Sequence, residues 1–431
     1  MPKGRFSRLA KLARAGARTG SAMVFSKTPA KHLIKSTALL GQLRGIATKI
    51  GQMLSYVDGL VPPEHRDAFE KTMGTLQAAT PASDPKEIRE LIRQEFNKGV
   101  EEIFATWEDT PIASASIGQV HRAITHEGEE VAVKVHHPGI VQALESDLQN
   151  AGAMEMILSL LGSSKFETGR LVEELKDRFR EELDYKLEAE RIELFSNIHA
   201  GDPTIRIPKV YKSLSSKRVL TTEFIRGLSY EEARNASEQE RIAWCETLWR
   251  FVYKAILIHG VFNADPHPGN YFFHEGGGVT FVDFGCVQKM PEVRQNAAIR
   301  LHWAAGHDEP EMFHQGCIDI ADCQGGLYER LVRKYLESYF RPIKESPFHL
   351  SPDYAAKVVR DFKRDYATAL KNYKDGFVPM PKGLLFINRL EFGFFSILAR
   401  LNVKVDYREV EKGYLHQEHI DAAMANASPS S

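Results

Sequence analysis

Residues 263–285 read NADPHPGNYFFHEGGGVTFVDFG, and the fold turns on this stretch. Asp265 and Asn270 stand five positions apart in a loop held by Pro266, Pro268 and Gly269. Prolines fix φ and glycine permits tight turns. That rigidity suits side chains that must keep fixed places around a phosphate. Asp265 could accept a hydroxyl proton or orient a nucleophile, and Asn270 could offer a neutral oxygen to Mg²⁺. The apolar strand Val279–Val282 then delivers Asp283 at its end, followed by Phe284 and Gly285. A carboxylate there is placed to take Mg²⁺ bridging two phosphates. Taken alone, the loop could also be an ordinary Pro/Gly turn capped by Asp and Asn.

Working towards the N-terminus, Lys134 lies in the middle of Val131-Ala-Val-Lys-Val135. A lysine among β-branched residues on a buried strand needs a partner for its ammonium. A nucleotide phosphate and a carboxylate would supply one; an edge-strand lysine facing water is the other reading. A strand lysine, then Asp-x₄-Asn, then Asp-Phe-Gly, in that order, is a far more specific signal than any one piece.

The coarse pattern around these motifs is mixed. Helical periodicity covers 32–57, roughly 64–77, and 85–97, the last capped by Ser83 or Asp84. The period then changes to β over 112–124 and 130–136, with the turn 126–129 between them. Helical segments follow at about 139–161 and 168–199. Short β segments are expected at 208–213, 218–224, 271–274 and 279–282, the last two inside an otherwise helical remainder.

The arrangement resembles the protein-kinase-like fold, and specifically the UbiB-type (AarF/UbiB/ADCK-like) atypical kinase family linked to ubiquinone biosynthesis. Lys49-Ile-Gly-Gln52 matches that family's KxGQ motif, Ala113-Ser-Ala-Ser-Ile-Gly-Gln-Val120 its Ala-rich nucleotide loop, and Glu182-Leu-Asp184 its ExD motif. Glu188 matches the carboxylate that pairs with the strand lysine. The likeness runs from about residue 35 to 415. It implies an α+β, bilobal, atypical protein-kinase-like fold with an N-terminal helical extension. The expected divisions are a basic tail (1–31), the KxGQ extension (32–107), an N-lobe with inserted helices (108–227), a helical C-lobe (228–425) and a tail (426–431).

The resemblance also assigns roles. Lys134, Glu188 and Asp265 would be catalytic, and Asn270 and Asp283 would hold Mg²⁺. Ala113, Ser114, Ala115, Ser116, Gly118 and Gln119 would approach the phosphates of ATP or ADP, with Gly118 as the one flexible point of a stiffened loop. Backbone groups of Glu223 and Ile225 would meet the adenine edge. Glu182, Asp184 and Glu188 are expected on one helix, with positions 184 and 188 facing the same way. Glu182 and Asp184 would then engage Lys49 and Gln52, whose helix would cover the cleft a protein substrate needs. A solvated acidic face is the bland alternative. Ala264 stands where ordinary kinases have Arg before the catalytic Asp, and no APE segment follows Asp283. Switching through a phosphorylated activation loop is therefore not expected.

Composition narrows the function classes. Of 431 residues 43% are hydrophobic, enough for sizeable cores. Lys plus Arg (56) balance Asp plus Glu (57), which argues against a nucleic-acid coat. Cys245, Cys286, Cys317 and Cys323 show no CxxC spacing and read as reduced thiols. The greasy stretches 151–162 and 384–401 are interrupted by Glu155 and by Arg389, Glu391 and Arg400, so neither reads as a membrane span. The first 57 residues carry eleven Lys or Arg and no acid. They read as an anchor on anionic lipid, a transit peptide or a solvated tail. The expected setting is cytoplasmic, peripheral at a membrane, with an organelle matrix as the alternative.

The function expected from all this is an atypical kinase-like ATPase, Mg-dependent, supporting quinone or isoprenoid-lipid metabolism, with quinone-pathway enzymes as candidate partners. A small-molecule phosphotransferase is the alternative, because the Asp-x-His-Pro-Gly-Asn loop also resembles that of aminoglycoside and choline kinases. A nucleotide-gated scaffold without turnover is another. A general protein kinase is opposed by the Ala-rich loop and the covered cleft.

Overall fold

The structure is a computed structural model that describes residues 82–114, 117–148, 176–177, 179–372, 375–376, 378 and 384–426. Lys49, Gln52, Ala115, Ser116 and the basic N-terminal stretch lie outside the described residues. The architecture is α+β, as the resemblance implies. It resolves into two compact units, described separately: one holds the described residues up to Glu190 with Lys209–Phe224, the other Arg191–Pro208 and the chain from Ile225 onward.

The first unit begins with helix α1 (Pro85–Phe96). Asp84 caps it, its Oδ1 accepting from the Lys86 N–H at 2.9 Å, and Pro85 occupies the first turn, where no N–H is needed. Asn97, at φ +54°, ends it in the left-handed region. Its buried stripe is Ile88, Leu91 and Ile92. A short helix α2 (Val100–Ile103) leads to an antiparallel sheet. Strands β1 (Thr106–Trp107), β3 (Gly118–Ile124), β4 (Glu130–His136) and β6 (Val219–Glu223) lie in the order β1-β3-β4-β6, with β2 (Ala113–Ser114) also on β3. Helix α3 (Ile140–Leu148) follows β4.

The alternation of β4 positions the chemistry. Val131, Val133 and Val135 are fully buried and pack in one cluster with Ile88, Leu91 and Ile92 of α1, Phe104 and Val219. Side chains on a strand alternate between faces. Lys134 therefore leaves by the face opposite the valines. α1 is tied to this sheet at both ends. The Ser83 N–H donates to Gln119 Oε1 at 2.7 Å, and Arg218 Nε donates to Glu95 Oε1 at 2.7 Å.

Two expectations change here. The run 112–124 is not one strand: Ala113 pairs with Val120 and Ser114 with Gln119, so it folds back as a hairpin. Glu182, Asp184 and Glu188 do not share one helix either. The helical stretch through Glu182 breaks at Leu183–Asp184, and α4 (Tyr185–Ile198) starts afresh. Asp184 is at that start, its Oδ1 accepting from the N–H groups of Lys186 (3.1 Å) and Leu187 (3.4 Å). A short carboxylate satisfies orphan amides better there than in mid-helix, which is why the chain breaks at this point. Asp184→Ala should lower stability by about 1 kcal/mol, measured by urea unfolding, and Asp184→Asn by much less. A loss confined to activity would instead favour a regulatory role.

The second unit is mainly helical. β5 (Ile205–Arg206) runs parallel to β9 (Val279–Phe281), which pairs antiparallel with β8 (Tyr271–Phe273). β7 (Val261–Asn263) pairs antiparallel with β10 (Val287–Lys289). The β expectation at 208–213 is displaced. The strand is at 205–206, Val210 makes only a single bridge to Thr222, and Lys212–Leu214 is a 3₁₀ turn. Pro208 has no N–H to give a ladder. After α5 (Tyr230–Ala233), α6 (Glu238–His259) is held by a capping box of Ser237 and Glu240 and ended by Gly260 at φ +62°. It is buried on most sides, through residues such as Trp244, Leu248, Trp249, Phe251 and Leu257. Helices α7 (Glu292–His307), α8 (Pro310–Ile320), α9 (Gly326–Tyr339), α10 (Arg341–Lys344), α11 (Pro352–Lys371), α12 (Leu384–Leu401), α13 (Tyr407–Lys412) and α14 (Gln417–Ala425) complete the unit with the strand pair β11 (Phe348–His349) and β12 (Lys404–Val405). Among the described residues no helix is long and apolar enough to cross a membrane.

Candidate active site

Lys134 is not an edge lysine. Its strand is hydrogen-bonded on both sides, with Val120 opposite it on β3 and Leu220 opposite it on β6. Its Nζ donates to both carboxylate oxygens of Glu188, at 2.9 and 3.0 Å. Glu188 is almost wholly buried, at 4% side-chain exposure, and Lys134 half-buried at 21%. The ammonium also stands 5.1 Å from the centre of the Tyr185 ring, one turn before Glu188 on α4. Beside it His136 packs on the same ring at 4.0 Å. Burial, then the charges of Lys134 and Arg218, push that imidazole down to about 3, so it adds no charge near the ion pair at neutral pH.

Gly118 is not a flexible point. Gly118 lies inside β3, paired with His136. A Cβ there would meet Val135 O at 2.6 Å and the Tyr185 hydroxyl at 2.7 Å. The glycine is required by the close approach of β4 and α4. Gln119 is fully buried, and its side chain is used by Ser83 and by His121 Nε2, 2.8 Å away. Its amide is committed to bracing α1 and His121. Ser114 closes the hairpin, and its Oγ is buried. Glu223 ends β6, where its N–H already donates to Lys209 O at 2.9 Å and its Oε2 accepts from the Lys209 N–H at 3.4 Å. That N–H is unavailable to an adenine edge. Ile225 is half-buried just beyond the strand. The Glu182 side chain is half-buried, and Lys217 Nζ lies 3.9 Å from Asp184.

In the second unit, the loop 263–270 is laced to the segment 282–286. The Ala264 N–H donates to Cys286 O at 2.7 Å, and the Val282 N–H to Asn270 O at 3.1 Å. Asn270 Nδ2 donates back to Asp265 O at 3.2 Å, closing the five-residue span. With Nδ2 so used, Oδ1 is the atom Asn270 can offer a cation. Asp283 is half-buried, and its Oδ1 accepts from the Gly285 N–H at 3.0 Å. Phe284 is fully buried, its ring 5.0 Å from that of Phe195, and Arg191 Nη1 donates to Gly285 O at 2.8 Å. The Asp-Phe-Gly turn is thereby anchored at the two residues that follow its carboxylate.

Asn263 was quoted in the loop but given no role by sequence. Its Nδ2 donates to Asp283 O at 2.7 Å and its Oδ1 accepts from the Asp265 N–H at 3.3 Å. One amide thus fixes the backbone at both acids. Only the pairing of β7 with β10 puts it there, and two three-residue strands carry too little pattern to be read in advance. Asn263→Ala should reduce turnover about a hundredfold through misplacement of the two acids while costing only about 1 kcal/mol of stability. Parallel kinetics and urea titrations would check this split.

Residues 75–313 match the ABC1 atypical kinase-like domain, more than half of the chain. The chain belongs to the ABC1 atypical kinase-like family. Similar members include the AarF domain-containing protein kinase 1 of Xenopus laevis, 32% identical over 260 residues, which cover 58% of this chain and 48% of that protein. The mitochondrial atypical kinase COQ8B of Rattus norvegicus is 26% identical over 400 residues, covering 92% of this chain and 74% of that protein. Among solved structures, the Rv3197–erythromycin complex from Mycobacterium tuberculosis aligns with a TM-score of 0.59 at 26% identity, covering 87% of this chain and 93% of that one. The chain spans about half the length of the first of these ABC1 relatives.

Proposed function

We propose that this ABC1-family chain binds a magnesium nucleotide, ATP or ADP, and turns ATP over slowly in support of quinone or isoprenoid-lipid metabolism. The observation that carries the reading is the Lys134–Glu188 pair at the centre of a sheet. A buried ion pair adds little to stability compared with apolar side chains of the same volume. Its presence on a fully paired strand favours a task, and a charge-fixed ammonium is what nucleotide phosphates need. Asp283 and Asn270 present a carboxylate and an amide oxygen, hard donors that suit Mg²⁺. The metal, when bound, would neutralise phosphate charge. Asp265, held at its backbone by Asn263 and Asn270, would orient the attacking hydroxyl or water.

The pathway rests on the likeness to COQ8B. The acid-free basic stretch before residue 58 favours anionic lipid as a surface partner. The cytoplasmic face of a membrane and an organelle matrix both suit this reading.

The test is ADP release from Mg-ATP by the purified chain, with and without anionic liposomes. Turnover that rises with liposomes supports a membrane-coupled ATPase. Nucleotide binding with no turnover in either condition would replace it with a scaffold. A phosphorylated metabolite after incubation with cell extract would replace it with a small-molecule phosphotransferase.

A further inference from the structure

The largest chemical anomaly of the helical unit lies away from the Asp265 loop. Helices α6, α7, α9, α11 and α12 line a partly open cavity of about 120 Å³, walled by Ile256, Leu301, Leu331, Leu336 and Phe362 among other apolar residues. Cores seldom leave voids larger than a water molecule. A closed cavity of about 150 Å³ accommodates benzene; this one is somewhat smaller but open on one side, so a ring of about six atoms can seat in it with its edge at the mouth.

The wall carries one cluster of polar groups. Glu391 of α12 faces the cavity, its Oε2 accepting from the Tyr335 hydroxyl at 3.0 Å. The hydroxyls of Tyr253 and Tyr339 bond to each other. The other ionisable groups of the lining are already matched: Asp365 by Lys334 at 2.8 Å and Arg364 at 2.9 Å, and His302 by Glu411 at 2.8 Å. Among the described residues Glu391 has no cationic partner. Burial, partly offset by hydrogen bonds from Tyr335 and Tyr339, pushes its carboxyl up to about 7. Near neutral pH it can therefore donate a hydrogen bond as well as accept one.

α12 is also the wall of the catalytic loop. Gly393 packs on Pro266, the residue after Asp265, so closely that a Cβ at 393 would lie 2.6 Å from Pro266 Cγ. Two residues along an α-helix turn through about 200°. Glu391 and Gly393 thus point to opposite sides of one helix, cavity on one side and Asp265 loop on the other.

We propose that the cavity binds one small uncharged molecule, mostly apolar and bearing a single hydroxyl or carbonyl that meets the Glu391 carboxyl, and that occupancy is relayed across α12 to the Asp265 loop. The apolar walls exclude an anion, which would lose its hydration beside a carboxyl, and a Glu391 carboxyl kept neutral by burial favours an uncharged group over a cation. Nothing in this depends on the nucleotide reading, since the site can be assayed by binding alone.

Cyclohexanol is a suitable probe, with cyclohexylammonium as its charged counterpart. Saturation-transfer NMR on the full chain should show saturable cyclohexanol binding, at least about tenfold weaker in Leu331→Phe, whose extra bulk fills the space. Cyclohexylammonium should bind no better than to the filled variant. Hydrogen exchange of a peptide spanning 261–271 should change with cyclohexanol in the wild type and not in Leu331→Phe. Wild-type crystals soaked in 4-bromobutan-1-ol should give a bromine anomalous peak inside the cavity, which needs no variant to fold. Absence of that peak together with non-saturable binding overturns the site. Preference for cyclohexylammonium overturns the ligand class in favour of a cation on Glu391. Saturable binding with unchanged exchange over 261–271 overturns the relay.

Discussion

Asp283→Asn should lower ADP release from Mg-ATP by about a thousandfold or more without unfolding the chain. The fold should be spared because the turn uses a side-chain oxygen, Asp283 Oδ1, which accepts from the Gly285 N–H. An asparagine keeps that oxygen. The backbone carbonyl taken by Asn263 is unchanged. The substitution removes the negative charge and replaces the second carboxylate oxygen with an amide nitrogen, which cannot ligate a cation. A charge placed on Mg²⁺ and phosphate is worth several kcal/mol in a preorganised site, and a thousandfold is about 4 kcal/mol. The measurement is steady-state turnover alongside urea unfolding of both proteins. Equal turnover would show that the carboxylate does no metal chemistry. Loss of turnover with an equal loss of stability would show a structural role.

The second large effect concerns Lys134 and Glu188, and it is asymmetric. The carboxylate is the more deeply buried member. Lys134→Met takes the two-point ammonium contact away from that carboxylate, at a cost of about 3–5 kcal/mol. Glu188→Ala strands a lysine that can still reach water, so its cost should fall at or below about 3 kcal/mol. The double variant Lys134→Met/Glu188→Leu should recover most of the stability, because nothing charged is left unmatched. Turnover should be lost in all three. Urea titrations of the cycle would separate the two contributions. A double variant that is both stable and active would remove Lys134 from the mechanism.

Residue type and spacing picked out the candidate site in the sequence, and left open the questions that only strand neighbours answer. Lys134 could be read as an edge residue until both flanking strands were known, since alternation gives a face but not a position in a sheet. Gly118 looked like a hinge because glycine permits many conformations. Its real constraint, Tyr185 and Val135 pressed against it, comes from residues 17 and more positions away. Asp184 and Glu188 fit a helical spacing, but a short acid also makes a good cap, and spacing cannot say which use prevails. Asn263 and Gly393 were illegible for a related reason: each acts through one long-range contact made by short or featureless sequence. The apolar run 384–401 was read for what it could not do in a membrane, and Glu391 within it only as an interruption.

The alternation in β4 has a genetic consequence. Loss of a single in-frame codon from the middle of this strand would shift every residue beyond it to the opposite face. Lys134 would then point into the cluster of Ile88, Leu91 and Ile92, and a valine would confront Glu188. Conservative missense changes at Val131, Val133 or Val135, such as valine to isoleucine, trim or crowd one contact and leave the frame of reference intact. One-residue deletions across Glu130–His136 should therefore score as null alleles in a deletion scan, as severe as premature stops, while deletions in the exposed 126–129 turn should be graded.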